Sequence, residues 1–213
     1  MKGIFVTFEG IEGSGKSTLI TLVSDALKQS GVEQIVTREP GGTDLGKSLR
    51  KVLLDPKGAR VTPLAELFLY AADRAQHVNE VLLPAIKDGK TVLCDRFSDA
   101  TEAYQGYGRG IPLEIVKAVV DQAREELIPD LTVLLDLPPA KGLARAQQRN
   151  LRNSSTDETR FDDEELAFHE RVREGYLAIS GREPDRFLIL DGMASPKDLA
   201  KRVVEEIESR FDR

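Results

Sequence analysis

At 213 residues and 40% hydrophobic content the chain suits one α/β domain with a sizeable core. Its net charge of −6 argues against wholesale nucleic-acid binding, which needs a basic face, and no run of 18 apolar residues predicts a membrane span. The start, MKGIFVTFEG, lacks the apolar core of a signal peptide, so the expected location is the cytoplasm. The lone Cys94, inside TVLC, has no internal disulfide partner and reads as a small buried hydrophobe.

In chain order, residues 2–9 (KGIFVTFE) are β-branched and aromatic and predict a buried strand. Residues 16–30 place Leu19, Leu22, Val23, Ala26 and Leu27 on one helical face, with Gly31 as the stop. VEQIVTRE predicts a second strand, ended by PGGT, and 44–54 a short helix before the turn at 55–58. Thr62 caps Pro63, which opens a long helix to about residue 87. A third strand covers 90–95, with helices near 99–105 and 112–126. A fourth strand at 130–137 precedes a helix at 139–150. The polar stretch 150–162 has no apolar periodicity and is expected to be a mobile loop. A helix at 163–180, a strand at 185–191 and an amphipathic helix at 196–211 complete the chain. Near-continuous apolar strands alternating with helices predict a doubly wound, five-stranded parallel sheet with helices on both faces. No repeat or linker divides 1–213, so one domain is expected, with a mobile lid at about 149–162.

Gly10-Ile11-Glu12-Gly13-Ser14-Gly15-Lys16-Ser17, followed by Thr18, matches G-x-x-x-x-G-K-[ST] between a strand and a helix. Its glycines let backbone N–H groups turn inward toward an anion at the helix start. Lys16 supplies charge for the β- and γ-phosphates, and the Ser17 hydroxyl is a hard ligand for Mg²⁺. A nucleoside triphosphate is therefore expected, with Mg²⁺, in a fold of the P-loop NTPase type. Asp95, ending TVLCD and followed by Arg96, is the candidate metal carboxylate, expected to act through water; Asp136 in TVLLD is its rival. GTPase signatures N-K-x-D and D-x-x-G are missing from the required places, which points to a kinase using ATP.

Four more stretches, TREPGGT, YAADRAQH, DRFSDATEAYQGYGRG and the arginine-bearing segment 149–160, join FEGIEGSGKST. Together they resemble the thymidylate kinase family nearly end to end. The resemblance implies an ATP-dependent kinase making dTDP from dTMP, normally a homodimer, with no nucleic-acid or membrane partner. It implies that Arg50 and Arg96 bind the dTMP phosphate, which suits bidentate, always-charged donors. It puts Glu39 near the phosphates and metal, and implies a cis bond at Glu39–Pro40. Tyr70 would stack on thymine, Arg74 would donate to O4, and Thr101 and Gln105 would bond the base around N3. Tyr104 or Tyr107 would lie beside the sugar, and Glu12 would reach its 3′-hydroxyl. Some relatives carry an arginine in the P-loop where this chain has Gly13; the others, which this chain resembles, supply it from the lid. That leaves Arg149, Arg152 and Arg160 as candidates for the transition state, with Asp157 and Glu158 beside them. His77 and His169 read as structural. Rival readings are a different P-loop deoxynucleotide, deoxynucleoside or metabolite kinase, and a nucleotide-dependent interaction protein of the ParA type.

Overall fold

The structure is a computed structural model that describes residues 3–153, 159–162 and 164–211. Five parallel strands, β1 (Ile4–Glu9), β2 (Gln34–Arg38), β3 (Thr91–Asp95), β4 (Leu131–Asp136) and β5 (Phe187–Asp191), lie in the order β2-β3-β1-β4-β5. β1 sits at the centre, all six of its residues buried, paired with β3 on one side and β4 on the other. The edge strands β2 and β5 expose Val36 and Ile189.

Side-chain alternation along β1 sorts the two faces. Ile4, Val6 and Phe8 join Leu19, Val23 and Leu27 of α1 (Lys16–Gln29) and Leu199, Val203 and Ile207 of α9 (Pro196–Phe211) in one apolar cluster. Phe5 points the other way, into Val78, Leu82, Ile86 and Phe97. Each such aliphatic side chain, fully buried, is worth about 1.5–3 kcal/mol. Thr7 and Glu9 follow Phe5 on that second face, where the Thr7 hydroxyl bonds that of Thr132 at 2.9 Å.

The remaining helices are α2 (Asp44–Leu54), α3 (Pro63–His77), α4 (Leu83–Lys87), α5 (Ser98–Thr101), α6 (Leu113–Arg124), α7 (Pro139–Asn153) and α8 (Leu166–Arg182). The long helix expected over 63–87 is interrupted by a wide π turn at Val78–Leu82. A second π segment, Glu102–Gly108, follows α5 where a plain helix is expected over 99–105. Thr62 stands at the N-cap of α3, but its hydroxyl caps nothing; Pro63 at the first helical position has no N–H to satisfy. α7 runs three residues past its expected end at 150, so the polar stretch begins as helix. At the other end of that stretch Phe161 is buried, edge-on to Tyr104 and stacked on Phe168, because one aromatic ring anchors an otherwise polar segment. α8 starts at Leu166 rather than 163, and a 3-10 turn at Pro184–Arg186 takes the residues expected to begin β5.

Candidate active site

The carboxyl ends of β1 and β3 open into one cleft of about 400 Å³. Binding crevices in parallel sheets lie at this end of the strands. β1 passes into the loop through Gly10, Gly13 and Gly15, all with positive φ (136°, 69° and 99°). A side chain at Gly10 would meet the Leu135 carbonyl at 2.6 Å, so only glycine lets the loop turn so close beneath β4. α1 starts at Lys16 with Gly15 as its N-cap, and no side chain covers its first N–H groups. Lys16 is buried, its ammonium donating to the carbonyls of Gly10 (2.8 Å) and Ile11 (3.1 Å). Burial pushes Lys16 down to about 8, with Arg96 adding to the shift and Asp95, Glu12 and Glu9 opposing it.

Ser17 and Asp95 face each other across the loop, the hydroxyl 3.5 Å from Asp95 Oδ2. Asp95 Oδ1 is buried with no hydrogen-bond partner. An orphaned carboxylate oxygen beside a hydroxyl suits Mg²⁺, which binds through one or two protein oxygens and keeps its waters. The rival Asp136 is occupied by Arg173, bidentate at 2.6 and 2.8 Å.

Opposite the loop, Arg96 begins the stretch after β3 at φ 70°, a left-handed conformation uncommon for any residue but glycine. Its N–H bonds the Phe8 carbonyl, which ties the turn to β1. The guanidinium lies 4.7 Å over the Tyr104 ring and donates to Glu12 Oε1 at 2.8 Å and to the Tyr176 hydroxyl at 3.2 Å. Tyr104 donates to the same Glu12 oxygen at 2.6 Å, and His169 Nδ1 lies 3.2 Å from Oε2. Burial works to raise the Glu12 carboxyl, but Arg96, His169 and Lys16 together hold it well below the usual carboxylate range.

Glu39 is buried at the end of β2, and the Glu39–Pro40 bond is cis, as expected. Arg74 Nε donates to Glu39 Oε2 at 2.9 Å, and His77 Nδ1 lies 3.0 Å from Oε1. The other nitrogen of His77 lies on the Thr37 hydroxyl, so both ring nitrogens are held within the protein. Arg74 Nη2 donates to the Phe97 carbonyl, and Nη1 is buried without a partner. Arg50 reaches the Pro40 carbonyl at 2.9 Å from α2. Tyr70 lies one turn before Arg74, and Thr101 and Gln105 close the wall beside them.

The cleft therefore gathers Glu12 to Thr18, Glu39, Arg50, Tyr70, Arg74, Asp95, Arg96, Thr101, Tyr104, Gln105 and Arg149. Gly10 and Ile11 contribute carbonyls behind Lys16. Tyr107 stays outside the cleft, against Gly175 of α8. Of the three candidate arginines, Arg149 lines the cleft and bonds Asp162 at 3.0 Å. Arg160 turns away to Glu66 (2.6 Å) and the Leu53 carbonyl (2.9 Å). The Arg152 side chain, Asp157 and Glu158 lie outside the described residues. Sequence reasoning missed Arg38, Arg145 and Asp162, which also line the cleft. The spacing of Arg145 and Arg149, one turn apart on α7, was the available signal.

The thymidylate kinase family model matches residues 8–203. A thymidylate kinase of Desulfovibrio desulfuricans is 51% identical over 99% of this chain and 97% of its own. One from Desulfosudis oleivorans is 50% identical over 96% of each chain. The crystal structure of thymidylate kinase from Ehrlichia chaffeensis superimposes with a TM-score of 0.75 at 30% identity, covering 97% of this chain and 99% of that one.

Proposed function

The chain belongs to the thymidylate kinase family, and from that premise we propose how its cleft divides the work. The enzyme transfers the γ-phosphoryl group of ATP to dTMP, giving dTDP and ADP, a step toward dTTP. The observation that carries the division is one cleft with a glycine-lined anion cradle on one side and Arg50, Arg96, Tyr70 and Arg74 on the other.

ATP lies along Gly10 to Thr18, with Lys16 turning from the loop carbonyls to the β- and γ-oxygens. Ser17 and Asp95 would hold Mg²⁺, one of them through water, and the ion would neutralise charge on those oxygens. Arg50 and Arg96 hold the acceptor phosphate in line. Arg96 is preset for this by Glu12, Tyr104 and Tyr176. Glu39 orients Arg74 through the bond from its Nε. Tyr70 covers the thymine ring, the free Nη1 of Arg74 donates to O4, and Thr101 and Gln105 read N3. Tyr104, rather than Tyr107, faces the sugar, and Glu12 reaches its 3′-hydroxyl. Arg149 is the arginine best placed for the transition state, where catalysis is positioning and charge stabilisation. We read 1–213 as one kinase domain with its lid at about 149–162. We further propose a homodimer, supported by apolar side chains exposed along α3, and a cytoplasmic enzyme, since both substrates are cytoplasmic solutes.

ADP release measured with dTMP, dUMP, dCMP and thymidine tests this reading. dTMP is the expected best acceptor, dUMP the next, and dCMP and thymidine poor. Equal use of thymidine would make the phosphate-binding assignment of Arg50 and Arg96 untenable. Lys16→Ala should abolish turnover with an unchanged melting temperature; near wild-type kcat would remove the phosphate cradle.

A further inference from the structure

Glu66 on α3 is fully buried and is not among the residues lining the cleft. It precedes Tyr70 by one helical turn and Arg74 by two, so the three share a face. Its Oε1 accepts from Gln105 Nε2 at 2.8 Å and from Arg109 Nε at 3.1 Å. Its Oε2 accepts from Arg109 Nη2 at 3.3 Å and from Arg160 Nη2 at 2.6 Å. Every partner is a donor.

A glutamine amide has two nearly isosteric orientations, and its neighbours choose between them. A carboxylate already shared by two guanidinium groups has only lone pairs to offer Gln105. The amide NH₂ must face Glu66, because the opposite orientation would set oxygen against oxygen in a dry site. Gln105 Oε1 is then the atom left over. Gln105 lines the cleft, and no described residue donates a hydrogen bond to that oxygen.

We propose that Glu66 is a positioning residue that sets base specificity through Gln105. By fixing the amide, it presents an acceptor to the cleft. That acceptor suits a pyrimidine whose N3 carries hydrogen and opposes one whose N3 carries a lone pair. The proposal rests on the reading of this wall as the thymine site. It assigns to a residue outside the site the polarity that a residue inside it displays.

A purely structural Glu66, one that only anchors Arg109 and Arg160, predicts equal losses for every acceptor. The proposal predicts a change of preference. In Glu66→Gln the new carbonyl can keep Arg160 Nη2 and Arg109 Nη2 while its NH₂ turns to Gln105, giving up only the Arg109 Nε bond. The Gln105 amide then reverses and shows a donor to the cleft. The test is kcat/KM for dTMP and dCMP in wild type, Glu66→Gln and Glu66→Asp. The expected result in Glu66→Gln is at least a tenfold fall in the dTMP:dCMP ratio, with kcat/KM for dCMP rising. Glu66→Asp, which keeps the carboxylate, should hold the wild-type ratio even if both rates fall. An unchanged ratio in folded Glu66→Gln overturns the proposal. Should that variant fail to fold, the wild-type enzyme answers by NMR, with the Gln105 amide identified by its loss in Gln105→Met. The amide protons should exchange slowly before dTMP is added and be unaltered by it. Protection that appears only with dTMP overturns the proposal. A wild type that uses dCMP as well as dTMP would instead defeat the thymine site itself.

Discussion

Glu9 ends β1 with both carboxylate oxygens engaged, one by the Phe97 N–H at 2.8 Å and the other by the Tyr176 hydroxyl at 2.7 Å. Burial pushes its carboxyl up to about 7, and Asp99 adds to the push, while Arg96, Tyr176 and the Phe97 N–H pull it down. An ordinary glutamate titrates near 4.5, so between these values the folded chain holds a proton that the unfolded chain lacks. The stability this proton brings is complete below 4.5 and is lost as pH rises through 7. Glu12 is the opposite case. Its depressed carboxyl contributes stability above the ordinary glutamate value and loses it only under strong acid, so it is constant from pH 5 to 8. Thermal or denaturant melts over that interval should show wild type losing stability relative to Glu9→Gln, by up to about 3 kcal/mol. Parallel pH profiles for the two proteins would show that Glu9 stays ionised throughout. Glu9 was readable as part of a strand, but not as a partner of Tyr176. That contact joins the first strand to α8, and no local pattern announces it.

α7 meets the phosphate loop glycine to glycine. A Cβ on Gly142 would lie 2.5 Å from the Glu12 carbonyl and 2.9 Å from Ile11 Cδ1, and one on Gly13 would lie 2.0 Å from the Gly142 carbonyl. Neither backbone can yield without moving an element, so the loop and the helix fix each other's position. Gly142→Ala should push them apart, raising KM for ATP about tenfold and lowering stability by about 1–3 kcal/mol, the usual cost of overpacking. Kinetics and a melt of the same preparation check both, and wild-type values for each would mean that the helix slides freely. The same contact explains why this chain has no room for an arginine at Gly13, and it fits the proposal that the cation comes from α7 through Arg149. Gly13 was legible in the sequence because its motif is local. Gly142, in PPAKGLARAQQ, reads as an ordinary helical residue, since its neighbour lies far away in the chain. The two π segments were illegible for a different reason: apolar spacing is read against a 3.6-residue turn, and a wider turn simply blurs it.

Across the whole molecule, the sheet order β2-β3-β1-β4-β5 brings three strand-end motifs to one rim. Each motif directly follows its strand, so the sequence showed the strands, the motifs and most of the cleft. It did not show strand order, or the Glu66, Arg109 and Arg160 array, because arginines and glutamates on exposed and buried helix faces look alike in one sequence. The outer surface carries its own expectation. Phe68 and Leu64 are 52% and 48% exposed one turn apart on α3, which packs between α2 and α6. A patch of that kind suits an isologous dimer, in which the same surface meets itself about a two-fold axis. Wild type should sediment at twice the 23.5 kDa chain mass, and Phe68→Glu at the single mass. A monomeric wild type would retire the dimer. The wide turn at Glu102–Gly108 has a further consequence, for which insertions and deletions the gene can carry. Such a turn holds a surplus residue relative to an α-helix. Removing one codon ahead of Tyr104 leaves the reading frame intact and lets the segment tighten to an α turn, so the chain beyond Gly108 keeps its place while the residues inside the turn shift by one position. Tyr104 and Gln105 would part company with Thr101, and a well-folded protein would lose the wall proposed to read the base. A deletion scan should therefore find this stretch as intolerant as the phosphate loop, while the same scan across the solvent face of α9 passes with a loss of stability alone.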